Sequence, residues 1–229
     1  MVHPLLLKVG DGDFSPLQFN GLFLWLDASQ LGLADAAAIA TWNDLSSNGR
    51  NFSQGTADNR PAFKAAIQNG RGIARFDGSN DFLQSVANQT LSQPSTWFVV
   101  ARRTGNTSAY NRVLYTVDNG ELGFDNEVNT TYIYAGEASY PDEAAADSAF
   151  HIIAGGFKAN SSILRVDGVQ GVGDIGPNNI ANQAMFIGHS TNPLAGDVGE
   201  IILYSGQLST ADIGRVESYL ASKWGIAIS

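Results

Sequence analysis

From residue 21 to residue 204 the chain repeats one pattern: short runs rich in apolar, β-branched and aromatic residues, nearly all of them bounded by Gly, Asn, Asp or Pro. Such runs stand at 21–27, 72–77, 82–85, 96–102, 112–117, 130–135, 150–154, 162–166, 184–187 and 199–204. No helical periodicity alternates with them, so they predict antiparallel sheets rather than a parallel sheet wound with helices. The run ending at Asp27 is apolar on both alternating faces and predicts an interior strand. The alanine-rich stretch at 33–43 permits a short helix or turn before Trp42 returns to the core, and 44–49 is a turn cluster.

The period changes after Gly206. Ser209 suits an N-cap with Asp212 in the capping-box position, and Ile213, Val216, Leu220 and Trp224 then form one stripe of a helix that Gly225 closes. That stripe needs a surface to lie on. The predicted fold is therefore all-β, a two-sheet antiparallel jelly-roll sandwich with one C-terminal α-helix. Residues 1–20 lack a sustained pattern and read as an extension or docking arm, with Leu5, Leu6, Leu7 and Val9 as its apolar surface, and residues 21–229 read as one domain.

Composition narrows the function classes. With 13 Lys and Arg against 22 Asp and Glu, a net charge of -9 and a pI near 4.6, the chain repels phosphate backbones and anionic membrane surfaces, so nucleic acid is excluded as the expected partner. The one basic pair, Arg102 and Arg103, reads as a solvated strand end. There is no cysteine, and a core of this size needs no disulfide or metal staple. Residues 1–10 carry three leucines without a preceding basic region and do not read as a secretory signal, and no apolar stretch is long enough for a membrane span.

Several signatures follow one another in a fixed order: Leu24-Trp-Leu-Asp-Ala-Ser29, Thr41-Trp-Asn-Asp-Leu-Ser-Ser-Asn-Gly-Arg50, Arg75-Phe-Asp-Gly-Ser-Asn-Asp-Phe-Leu83, Val166-Asp-Gly168, Phe186-Ile-Gly-His189 and Gly199-Glu-Ile-Ile-Leu-Tyr204 before the final helix. Together they resemble the laminin-G-like branch of the concanavalin A-like lectin and glucanase superfamily over residues 21–226. The resemblance implies a two-sheet jelly roll that binds carbohydrate or protein, of a kind common in bacterial surface proteins and in the virions of tailed bacteriophages. It leads to the expectation of a non-enzymatic virion protein, on capsid or tail, assembled in the host cytoplasm. Its lectin-like face would meet a host-surface glycan, and residues 1–20 would dock it to other virion proteins or to further copies of itself. A freestanding carbohydrate-binding module and a glycoside hydrolase are the alternatives.

The stretch at 104–147, rich in Asn, Tyr and acidic residues, supplies the expected ligand-binding groups: Tyr110, Asn111, Asn126, Tyr132, Tyr134 and Tyr140. Their amphipathic rings and amides stack on and hydrogen-bond to sugars. For hydrolysis, Asp125 and Glu127 would share a face if extended, but turn residues flank them and the segment reads as a solvated hairpin. Asp77, Asn80 and Asp81 are either oxygen ligands to calcium or Asx side chains closing a turn; no other cofactor is expected. His3, His151 and His189 lack metal-ligand spacing, and Trp25, Trp42, Trp97 and Trp224 read as core.

Overall fold

The computed structural model describes residues 14–105, 109–117, 120–127, 130–136, 138–139, 147–189 and 191–229. In chain order the strands are β1 (Leu22–Asp27), β2 (Thr41–Trp42), β3 (Phe52–Ser53), β4 (Ala62–Gln68), β5 (Arg71–Asp77), β6 (Leu83–Ser85), β7 (Gln89–Leu91), β8 (Ser95–Arg103) and β9 (Tyr110–Thr116). There follow β10 (Gly120–Asp125), β11 (Thr130–Tyr134), β12 (Ala138–Ser139), β13 (His151–Phe157), β14 (Ser162–Val166), β15 (Val169–Gly173), β16 (Ile180–Gln183), β17 (Met185–Ile187), β18 (Ala195–Ser205) and the helix α1 (Thr210–Trp224).

These strands form two antiparallel sheets. The first runs β15-β14-β13-β8-β18-β5-β4 with β1 attached to β18, and the second runs β12-β11-β10-β9-β17-β6-β3-β2. Strands β7 and β16 pair separately. The layers meet across one apolar core. Leu24, Phe76, Trp97, Val99, Ile201 and Leu203 enter it from the first sheet and Leu83, Leu114, Leu122, Phe124, Ile133 and Ile187 from the second. Each such side chain stabilises the fold by about 1.5–3 kcal/mol through burial.

A second cluster covers the outer face of the first sheet. There Ile213, Val216, Leu220 and Trp224 of α1, all buried, pack on Ile73, Phe98, Ile152, Ile202 and Tyr204, so the stripe has the support its spacing required. The Ser209 hydroxyl accepts the backbone N–H of Asp212 at 3.1 Å, and Gly225 ends the helix at φ 66°, in the left-handed region open to glycine. The described end of the N-terminal extension joins this cluster. Phe14 lies 5.4 Å from the Tyr219 ring, Phe19 lies 6.0 Å from that of Tyr204, and the Tyr204 hydroxyl donates to Pro16 O.

Strand β18 organises the first sheet. Its whole length pairs with β8 on one side, while β5 and β1 share the other side end to end. The register slips at Gly199, between these two partners. Strand β1 is therefore not the interior strand its apolar pattern predicted. Among the described residues its one strand partner is β18, and its burial on both faces comes from the core on one side and the helix layer on the other. The stretch at 33–43 forms no α-helix, and Trp42 enters the core from β2.

The basic pair is not a solvated strand end. Asp197, fully buried, sits opposite both Arg75 and Arg102 in the ladder, taking two hydrogen bonds from Arg75 at 2.7 and 2.8 Å and one from Arg102 at 2.8 Å. Arg103 donates to Asn126 Oδ1 at 2.6 Å. Placing a carboxylate between two guanidinium groups satisfies charges that three adjacent strands would otherwise leave unpaired.

Candidate functional site

The outward face of the second sheet carries a group of aromatic residues. Strand register aligns Tyr134, Glu121, Tyr115, Phe186 and Gln84 in one row across five strands. Their chain neighbours Ile133, Leu122, Leu114, Ile187 and Leu83 point into the core, so the row faces away from it. A second row sets Tyr132 opposite Gly123 and Gly123 opposite Arg112. Arg112 and Tyr115 share the face despite their odd spacing because the ladder slips by one residue between them, at Val113.

These groups hold one another. The missing side chain at Gly123 leaves room for the Tyr132 ring, whose hydroxyl donates to Glu121 Oε2 at 2.8 Å. Arg112 donates to the same carboxylate at 3.1 Å, and its guanidinium lies 4.3 Å from the centre of the Tyr115 ring. Tyr110 meets Tyr132 edge-on at 5.5 Å. His189 stands edge-on to Tyr115 at 4.7 Å and to Phe186 at 5.8 Å. Burial pushes the Tyr132 phenol well above its ordinary range, and the Glu121 charge adds to this, so Tyr132 remains a neutral donor. Burial and then the Arg112 charge lower the His189 pKa. The Thr191 backbone N–H donates to His189 Nδ1 at 3.1 Å, which places the proton of the neutral ring on Nε2.

The predicted site residues divide. Tyr110, Tyr132 and Tyr134 come together on this face, with Tyr132 as a nearly buried underlayer and Tyr110 and Tyr134 half-exposed. Asn111 is turned inward, and the partly exposed Asn126 is tied to it. Asn111 is fully buried, donating to Gly105 O and Asn126 Oδ1 and accepting from Ala195 N, while Asn126 Oδ1 receives Arg103. Both lock the base of a loop, and Asn111, with no exposed surface, is not available to a ligand. Tyr140 lies outside the described residues. Arg112, Tyr115, Glu121, Phe186 and His189 complete the face and were not predicted for it.

The segment read as a solvated hairpin is a strand up to Asp125, β10, flanked by β9 and β11. Asp125 is buried, and its Oδ1 accepts the backbone N–H of Glu127 at 2.8 Å in the turn that follows. The two carboxylates therefore do not stand side by side on an extended strand.

Asp77, Asn80 and Asp81 close a turn. Asp77 Oδ1 accepts from Ser79 N at 2.8 Å and Asn80 N at 3.3 Å, Asp81 Oδ2 accepts from Asp77 N at 3.0 Å, and the Asn80 amide donates to Asn59. Their oxygens serve the chain itself, and among the described residues no group of three or more His, Cys, Asp or Glu converges as metal ligands would.

Trp42, Trp97 and Trp224 are buried in the core as expected, but Trp25 is only partly covered. Its indole N–H donates to Glu200 Oε1 at 2.8 Å. Glu200, fully buried, also accepts from the Tyr219 hydroxyl at 3.0 Å and the Trp224 indole at 2.7 Å, and pairs with Lys223 at 2.7 Å. Lys223 reaches Asp27 at 2.6 Å as well. Burial raises the Glu200 pKa while Lys223 pulls it back. This network fastens α1 to β1 and β18 and leaves none of its members without a partner.

No protein-family model matches the chain, and no curated protein sequence does. Solved structures do match. Trypanosoma rangeli sialidase superposes with a TM-score of 0.61 at 13% identity, over 93% of this chain and 34% of that one. Domain 4 of an extracellular arabinanase from Geobacillus stearothermophilus, in complex with arabinotriose, gives 0.60 at 12% identity over 81% of this chain and 99% of that chain. The binding domain of Paraclostridial Mosquitocidal Protein 1 gives 0.60 at 12% identity, covering 87% and 52%. The chain thus spans about a third of the sialidase structure. At these identities the likeness establishes the fold alone, a two-sheet β-sandwich.

Proposed function

We propose that this chain is a non-catalytic glycan-recognition module that binds through the outward aromatic face of its second sheet. The observation that carries this reading is the cross-strand row of Tyr134, Glu121, Tyr115 and Phe186, with His189 and Arg112 beside it. Rings beside fixed polar groups are what a sugar requires, because its C–H faces stack on aromatics while its hydroxyls need donors and acceptors. Rigid strands hold these groups in place, so little ordering is lost on binding. Two structures of the same fold are of carbohydrate complexes, the arabinanase domain with arabinotriose and the sialidase with sialic acid, which supports the ligand class.

The setting we propose is the virion of a tailed phage, which rests on the laminin-G-like signatures at 24–29, 75–83 and 199–204. Residues 1–20 would dock the module to other virion proteins; of these, Phe14 packs on Tyr219 of α1 and Pro16 accepts the Tyr204 hydroxyl of β18. A glycan array tests the binding. Saturable binding to a defined glycan, lost in Tyr134→Ala and Phe186→Ala but retained in Val169→Ala on the far sheet, supports the reading. Cleavage of a bound glycan would show that the module is an enzyme instead.

A further inference from the structure

A second site lies on the opposite side of the sandwich, between the end of β1 and the last turns of α1. A pocket of about 610 Å3 opens there, inside the about 300–1,000 Å3 range of small-molecule sites. Phe14, Trp25 and Tyr219 form aromatic walls. Its floor is the Asp27 and Lys223 pair, whose charges are already matched within the network around Glu200.

Three polar groups on the lining are uncommitted. Arg71 is oriented by its Nε, which donates to Lys223 O at 2.7 Å, while its terminal nitrogens make no hydrogen bond or ion pair among the described residues. Gln30 and Ser222, both exposed, likewise have no side-chain partner among the described residues.

This chemistry discriminates between ligand classes. A cation would meet Arg71 and Lys223, and the nearby carboxylates of Asp27 and Glu200 are already paired with Lys223. A wholly apolar ligand would cover Arg71, Gln30 and Ser222 and leave their donors unmatched. A ring with an apolar C–H face, hydroxyls around its edge and one carboxylate matches the aromatic walls, the uncommitted polar groups and the guanidinium fork together. We infer that this pocket binds a single acidic sugar unit, its ring against Trp25 and its carboxylate on Arg71. The site stands apart from the aromatic face of the second sheet and does not depend on it.

Two-dimensional NMR with glucuronic acid as the probe and glucose as its neutral counterpart tests the assignment. Glucuronic acid should give saturable shifts of the Trp25 indole N–H and of the Tyr219 region, with glucose about tenfold weaker, the margin expected for a charge-assisted over a neutral hydrogen bond. Ser222→Trp, at an exposed helix position, should block the pocket and abolish those shifts. Gln30→Ala should weaken them, and Tyr134→Ala should leave them unchanged. Absence of saturable shifts with glucuronic acid, equal midpoints for the two sugars, or unaltered binding in Ser222→Trp would each overturn the inference.

Discussion

Tyr132 lies against Gly123, and the placement depends on the glycine having no side chain: a Cβ at 123 would come within 3.1 Å of the Tyr132 ring and 2.5 Å of Asn111 O. The second contact is with backbone and cannot be relieved by a rotamer change. Gly123→Ala is expected to destabilise the domain by about 1–3 kcal/mol, the range for overpacking. It should also displace the Tyr132 hydroxyl from Glu121 and free Arg112 from its position. Urea denaturation measures the first effect and the loss of glycan affinity the second.

Lys223 carries the charge between Asp27 and Glu200. Lys223→Met removes it while keeping the aliphatic stem, leaving two carboxylates on paired strand positions without their cation. The expected cost is about 3–5 kcal/mol at neutral pH, as for breaking a buried ion pair. Part of that loss should be recovered as pH falls and Glu200, whose pKa burial raises, protonates. Denaturation midpoints of the two proteins that keep a constant difference from pH 8 to pH 4 would argue against it.

How much of this was legible in the chain depends on the kind of element. The α1 stripe announced itself through one periodicity and one buried face, and the strands around Trp97, Ile152 and Ile202 as short continuous apolar runs, buried on both faces. Strand β10 did not, since Gly120, Gly123 and its acidic residues resemble turn composition, and only its neighbours show that Gly123 makes room for Tyr132. The tyrosines at 110, 132 and 134 were readable as one group, and the structure brings them onto one face. Asn111 and Asn126 both serve a loop base, and in sequence an amide that closes a loop looks like one that meets a ligand. Arg112 and Tyr115 escaped notice because the slip at Val113 breaks the alternation that would have joined them. Trp25 sits in an apolar run, and its partial exposure becomes apparent only once α1 is in place.

Two groups give the stability a predictable pH dependence. His151 lies between Asp167 at 2.6 Å and Asp147 at 3.0 Å, and the Asp167 hydrogen bond in particular raises its pKa above the ordinary 6.5. The folded state therefore holds this proton more tightly than the unfolded chain. Its stabilisation is complete below pH 6.5 and is lost as pH rises through the folded pKa. Comparison with His151→Asn by thermal unfolding should show the wild type losing its advantage above neutrality.

Asp81 acts in the same direction at lower pH. Burial, reinforced by the Asp77 charge, raises its pKa from 3.8 to about 6. Between these values the folded state binds more protons than the unfolded one, so stability falls as pH rises from 3.8 to about 6. Asp81→Asn can still accept the Asp77 N–H and should remove this slope, leaving the variant more stable relative to wild type at pH 7 than at pH 4. Carbon-detected NMR of the Asp81 carboxyl, with a midpoint near its ordinary value, would count against the assignment.

The most direct test of glycan recognition is to map where a bound oligosaccharide lies. With the strongest binder from a glycan array, isotope-filtered NMR contacts or a structure of the complex should place the sugar on Tyr134, Phe186 and His189, with the His189 Nε2 proton in contact. A ligand that binds saturably elsewhere and leaves these three residues untouched would contradict the account.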